Sequence, residues 1–528
     1  MRENRIRGSI ACCAVLLAAS ALAAQSPVPR IDALAERARA TFAVPGLSIA
    51  VVKDGAVVLV KGYGVKKLGE SAPVGARTLF GIASNTKAFI AASLAILVDE
   101  GKLRWDDRVV DLLPGFAMSD PWVTREMQVR DLLCHHSGLG LGAGDLLFFP
   151  QTDFTVAEIV RKLRFIKPAT SFRTTYAYSN LMFVTAGEVI RAVTGKSWDE
   201  FVRERIFAPV GMTASNTSIT GFKPGDDVVT PHAESDGMLK PVAWENLDNS
   251  GAAGAINSNA DDLARWMIVQ LDKGKLPGGE ARLFSEDRSR EMWTVNTTIP
   301  VGRPPAPLAA VAPHFAGYGL GWFLRDYRGH TIANHAGGLI GLTSRVFLAT
   351  DARIGVAVLT NSETLASGAL SWSLVDLMLG AAATDWIGIL KQQDDDAANA
   401  AKAAEAESAK QRAADSKPSL ALDAYAGRYA DPWYGEVVIA REGDRLVLRF
   451  AHSAGLVGDL EHWQHDTFVA RWRDRSLRAD AYVTFTIDPD GAVAQMTMRP
   501  VSKLTDFSFD FQDLLFTPLP EVAQSGAK

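Results

Sequence analysis

Ser84 and Lys87 stand three residues apart in Gly81-Ile82-Ala83-Ser84-Asn85-Thr86-Lys87. On a helix that spacing sets both side chains on one face. A serine hydroxyl is a weak nucleophile until a neighbouring base takes its proton, and a lysine can do so once burial lowers its pKa. Tyr178 and Asn180 lie two apart in Tyr176-Ala177-Tyr178-Ser179-Asn180. A tyrosine there can serve as general acid or base, provided nearby cations depress its pKa, and an asparagine amide can hold a substrate carbonyl or the lysine. A third stretch, Asn334-His335-Ala336-Gly337-Gly338-Leu339-Ile340-Gly341, has paired glycines that let a backbone or ligand come close. An amide from it can pair with that of Ser84 as an oxyanion hole. Taken singly, each has a plainer reading. Ser84 can be a helix cap, Tyr178 a core residue, Asn180 another cap, and the third stretch a glycine-rich turn beside a solvated histidine.

The elements that must position these residues are legible around them. From Ala88 to Val98 the chain is apolar over nearly its whole circumference, with no proline or internal glycine, and this predicts a buried helix starting near Ser84. Its N-terminus favours developing negative charge. Upstream, residues 30–40 pattern as an amphipathic helix. The β-rich runs 47–52 and 57–60 flank Asp54-Gly55, a hairpin signal. Helical patterns and loops fill 103–271, and Ser258-Asn259-Ala260-Asp261-Asp262 reads as a capped helix start. Strand signals return at 319–324, 344–348 and 355–360, before a last helix over 370–379. Strands at both ends with helices between predict one sheet assembled from distant segments plus a helical insertion.

From 391 to 418 the composition shifts to alanine alternating with charge, which suits a solvated helix or linker. Beyond it the pattern is all-β: 445–450, 468–472, 482–487 and 493–498 alternate or cluster β-formers around turns such as Pro489-Asp490-Gly491. The expected organisation is an export signal at 1–24, a main domain at 25–390, a charged linker at 391–418, a β domain at 419–520 and a tail at 521–528.

The chain has 528 residues, of which 48% are hydrophobic and 22% charged, with a formal net charge of −5. That balance supports globular domains with ample cores and lacks the basic footprint of a nucleic-acid binder. Arg2, Arg5 and Arg7 precede a short apolar core and Ala21-Leu22-Ala23-Ala24, the layout of a secretory signal cleaved after Ala23 or Ala24. The expected location is secreted or periplasmic, without stable membrane insertion. Cleavage would remove Cys12 and Cys13 and leave Cys134, which cannot form an intramolecular disulfide.

Ser84-x-x-Lys87, Tyr178-x-Asn180 and His335-Ala336-Gly337, in that order, resemble the motifs of the penicillin-binding-protein and class C β-lactamase superfamily. Phe80-Gly81-Ile82-Ala83, Leu132-Leu133-Cys134-His135-His136-Ser137-Gly138-Leu139, Gly251-Ala252-Ala253-Gly254 and Gly317-Tyr318-Gly319-Leu320-Gly321-Trp322 extend the resemblance over about residues 30 to 385. The resemblance implies an α/β fold: an antiparallel sheet flanked by helices, plus an all-α lobe, with the active site between them. A small all-β, barrel-like domain follows it here. By the same resemblance Ser84 is the acylated nucleophile, Lys87 and Tyr178 share proton transfer, and Asn180, His335, Gly337 and Gly338 meet substrate. The amides of Ser84 and Gly338 then form the oxyanion hole.

The third motif departs from the family pattern, with His335 in place of lysine and Ala336 in place of threonine. Histidine is largely neutral at pH 7, so the fixed charge that would hold a substrate carboxylate is missing. Relatives with histidine here are often esterases, amidases or peptidases acting on D-residues. The expected function is therefore an exported serine hydrolase cleaving small esters, amides or peptides. A class C-like β-lactamase, or a penicillin-binding-type covalent binder without turnover, stands as the alternative. No cofactor or metal is expected: His462 and His465 have no third ligand, and His135 and His136 read as structural.

Overall fold

Leu47, Ile49 and Val51 alternate with Ser48, Ala50 and Val52, and all six are buried. A strand covered on both faces needs such a continuous run. It is β1 (Gly46–Lys53), paired antiparallel with β2 (Ala56–Gly64) across Asp54 and Gly55, whose φ angles are 51° and 79°. Two positive φ values in a two-residue turn match the twist of the strands they join. The computed structural model describes residues 26–413 and 415–520; the expected export signal at 1–24 and the tail at 521–528 lie outside the described residues.

Six more strands complete an antiparallel sheet: β3 (Thr297–Thr298), β4 (Ala316–Tyr318), β5 (Phe323–Tyr327), β6 (His330–Leu339), β7 (Leu342–Ala349) and β8 (Ile354–Thr360). Their order is β2-β1-β8-β7-β6-β5-β4-β3, so the two ends of the domain meet at β1 and β8. The period of two divides the residues of β1 between two cores. Leu47, Ile49 and Val51 pack with α1 (Val28–Thr41) and the late helix Ala366–Leu379 on one face. Ala50 and Val52 face the helical lobe on the other. In that lobe α2 (Thr86–Asp99) is buried at every residue from Thr86 to Leu97. Phe89 of α2 stacks on Trp266 with ring centroids 4.1 Å apart.

Two sequence expectations shift in detail. The α-helix begins at Thr86, and Ala83–Asn85 form a tighter 3₁₀ turn before it, with Ala83 at φ 48°. The run 319–324 is not one strand: residues 319–322 turn the chain from β4 into β5. Gly321 has φ 78°, and a Cβ on it would lie 2.8 Å from the Lys87 carbonyl oxygen, so the turn passes too close to α2 for a side chain.

The alanine-rich stretch belongs to a 25-residue helix, Trp386–Lys410, anchored at its start by the buried Trp386 and Ile387. After it, eight antiparallel strands from Gly427–Asp431 to Leu515–Pro518 close into a barrel around Tyr425, Phe450, Trp472 and Phe485. The loop 501–514 between its last two strands leaves the barrel and packs on the helical lobe, where Phe509 meets Phe149 with centroids 5.1 Å apart.

Candidate active site

The turn carrying Ser84 is pinned from behind. Ser344 Oγ on β7 donates to the Ile82 carbonyl at 2.7 Å and accepts from Asn85 Nδ2 at 2.8 Å. Gly337 on β6 lets this turn approach, because a Cβ there would stand 2.2 Å from the Ile82 carbonyl oxygen and 2.9 Å from Ala83 Cβ. At Gly338 a Cβ would meet nothing within 4 Å. Gly337 therefore supports the turn, while Gly338 faces open space.

Lys87 is fully buried, and its Nζ donates to Ser84 Oγ at 2.9 Å, Asn180 Oδ1 at 2.8 Å and the Ala253 carbonyl at 2.8 Å. Burial pulls its pKa down to about 7, against the opposing pull of the Asp145 charge. A lysine so placed is neutral in a useful fraction at physiological pH and can accept the Ser84 proton. Asn180 opens the helix Asn180–Thr194, yet its side chain turns inward to Lys87 and to Asp145, 2.8 Å away, instead of capping.

Tyr178 is also buried, with its ring centroid 4.8 Å from Lys87 Nζ. The proviso attached to Tyr178, a pKa depressed by nearby cations, is not met. Burial pushes the phenol well above its usual range, and the Ser84 hydroxyl only partly opposes this. Tyr178 thus keeps its proton and suits an acid. His135 packs on it with centroids 4.2 Å apart, and His135 Nδ1 accepts from the Ser179 amide at 3.1 Å, so this histidine braces the tyrosine loop.

His335 Nδ1 lies 2.6 Å from the Ala336 carbonyl and must donate to it, which leaves Nε2 to accept from the Tyr318 hydroxyl at 2.8 Å. Burial and the nearby Lys87 lower its pKa to about 3. It is a neutral, fully engaged imidazole with no charge for a carboxylate. Ser84, Tyr178, Asn180, His335, Ala336 and Gly338 all border one cavity of about 380 Å³, whose remaining wall is largely apolar.

Asp131, Cys134 and His136 place potential metal-binding atoms within 4.8 Å of one another. Their atoms are already engaged: Arg173 bonds both Asp131 oxygens at 2.7 and 3.0 Å, and His136 Nε2 lies 2.7 Å from Asp131 Oδ1. The group is a hydrogen-bonded network, closed by the Arg173–Asp131 ion pair, that ties the segment carrying Arg173 to the lobe. His462 Nε2 lies 2.9 Å from the His465 carbonyl, a local turn contact.

The family model described as Beta-lactamase matches residues 31–377. The chain belongs to the beta-lactamase family. A second model, a domain of unknown function (DUF3471), covers residues 411–518, the barrel. Among relatives of this beta-lactamase-family chain, the unguisins hydrolase ungD' of Aspergillus campestris is 30% identical over 428 residues, 77% of this chain and 76% of that one. Penicillin-binding protein 4 of Amycolatopsis lactamdurans is 30% identical over 346 residues, 64% of this chain and 85% of that one. In fold, the octameric penicillin-binding protein homologue from Pyrococcus abyssi aligns with a TM-score of 0.59 at 21% identity, covering 93% of this chain and 100% of its own. A D-amino acid amidase from Ochrobactrum anthropi SV3 aligns at 0.55 and 23% identity, over 67% and 98%.

Three contributors to the site of this family member are absent from the sequence reading: Asp145, Asp506 and Ser508. Asp145 sits behind Asn180, and Asp506 and Ser508 reach the cavity from the barrel loop. The available signal was the alternation Asp506-Phe507-Ser508-Phe509-Asp510 in a stretch that otherwise reads as loop.

Proposed function

We propose that the protein is a serine hydrolase working through an acyl-enzyme on Ser84. The observation that carries this is the buried Lys87 ammonium 2.9 Å from Ser84 Oγ, with its pKa brought to about 7. Neutral Lys87 takes the hydroxyl proton as Ser84 Oγ attacks the substrate carbonyl. The amides of Ser84 and Gly338 receive the oxyanion. Tyr178, still protonated, gives its proton to the leaving group as the carbonyl–leaving-group bond breaks, and recovers one from Lys87. Water then hydrolyses the acyl-enzyme by the reverse proton path.

A neutral His335 and a largely apolar cavity favour uncharged esters and amides, including peptides, over substrates held by a carboxylate. The amidase likeness in fold and the hydrolase relative support the same class. A β-lactamase activity is the second reading, supported by family membership and weakened by the missing cation at His335. A third reading, a penicillin-binding-type covalent binder, predicts stoichiometric labelling without turnover. We further place the protein outside the cytoplasm, on the export signal at 1–24; among the described residues no helix is long and apolar enough to cross a membrane.

Peptide mapping after treatment with a fluorophosphonate tests the assignment. The label is expected on Ser84 alone, and a label elsewhere with Ser84 unmodified refutes it.

A further inference from the structure

Ser508 Oγ, on the barrel loop, donates to Asp145 Oδ2 at 2.9 Å, and Asn180 Nδ2 donates to the same oxygen at 2.8 Å. Asp510 on the same loop accepts from the Gly144 amide, which holds the turn that carries Asp145. On its other side Asn180 Oδ1 accepts from Lys87 Nζ at 2.8 Å. All five side chains are buried.

The chemistry of the donors makes this chain directional. A carboxylate only accepts, so it draws the Asn180 NH₂ toward itself and leaves the amide oxygen facing Lys87. The opposite amide orientation would set two nitrogens against each other and leave the carboxylate facing an oxygen. Asp145 Oδ1 has no hydrogen-bond partner among the described residues, so the carboxyl is not saturated by its own surroundings.

We propose that Asp145 and Ser508 are positioning residues for Lys87, through which the C-terminal barrel completes the proton-transfer site. The inference rests on the acyl-enzyme reading of Ser84. Burial lifts Asp145 to about 7, while Asn180, Ser508 and Lys87 favour its ionised form. The Asp145 charge in turn favours the Lys87 ammonium. The other titratable groups around the pair are His135, Tyr178, His335, Asp506, Asp510 and Asp513, and the variants below leave all of them in place.

The test is the rate of fluorophosphonate labelling at Ser84 between pH 5 and 9 in the full chain, beside its melting temperature. Labelling rises with pH as Lys87 becomes neutral. Asp145→Asn removes the anion that favours the ammonium, so the rise is expected at lower pH by roughly half a unit or more. The plateau should fall about tenfold, because an amide at 145 no longer dictates the orientation of Asn180. Ser508→Ala removes one oxygen from the barrel loop and should shift the rise in the same direction with a plateau roughly threefold lower. Ser508→Thr keeps the hydroxyl and should restore the wild-type profile. If Asp145→Asn does not fold, the two Ser508 variants decide. An unmoved rise and plateau in the folded variants would overturn the proposal, as would a lower melting temperature with an unmoved profile, the mark of a simple anchor. A wild-type Ser84 that takes no label at any pH would instead overturn the acyl-enzyme reading, and this proposal with it.

Discussion

Gly337 lies so close to Ile82 that a Cβ on it would stand 2.2 Å from the Ile82 carbonyl oxygen. That oxygen is already held by Ser344 and belongs to the backbone that delivers Ser84, so it cannot swing aside as a side chain would. The sheet and the Ser84 turn are therefore set against each other by a missing methyl group.

Gly337→Ala should push the turn outward, lower stability by about 1–3 kcal/mol and reduce kcat/KM by roughly a hundredfold through misplacement of Ser84. Gly338→Ala has open space for its methyl group and should change stability by no more than about 0.5 kcal/mol. Denaturant melts and ester kinetics on the pair separate the two positions.

In the proposed mechanism Lys87 sets the pH dependence of acylation. Its pKa is lowered to about 7, and the neutral amine is the base, so the acylation rate should climb as pH rises through that value and level off above it. Lys87→Arg carries a guanidinium that does not deprotonate, and should lose about two to four orders of magnitude with no recovery at alkaline pH. Pre-steady-state burst rates across pH 5–9 measure both.

In the proposed reading His335 governs discrimination between neutral and anionic substrates. A neutral imidazole offers a carboxylate nothing, whereas His335→Lys would place a cation beside the cavity. The ratio of kcat/KM for a carboxylate-bearing ester to that for its uncharged analogue should rise by about tenfold in the variant. An unchanged ratio would mean that the position does not face the substrate's acid group.

Much of this arrangement was legible in the sequence because it is local. The all-apolar run after Lys87 requires a buried helix, Asp54-Gly55 requires a tight hairpin, and Asn259 before Ala260 and two acids caps a helix that the structure contains. Alternation was equally informative in the barrel, where Leu446, Leu448 and Phe450 are buried. What stayed hidden depends on long-range approach. The run 319–324 reads as one strand until Gly321 is seen to press on the Lys87 carbonyl and Gly319 on that of Met292. Tyr178 has Lys87 beside its ring, yet its pKa is raised, chiefly by burial, and burial is a property of the whole lobe. Ser508 and Asp145 are 363 positions apart in the chain, and no local pattern links them.

The most direct measurement is steady-state hydrolysis of a short-chain nitrophenyl ester by the wild-type protein and by Ser84→Ala. Turnover by the wild type, with the variant reduced by at least about a thousandfold, is the result expected of an acyl-enzyme on Ser84. Equal turnover by the two proteins would contradict it.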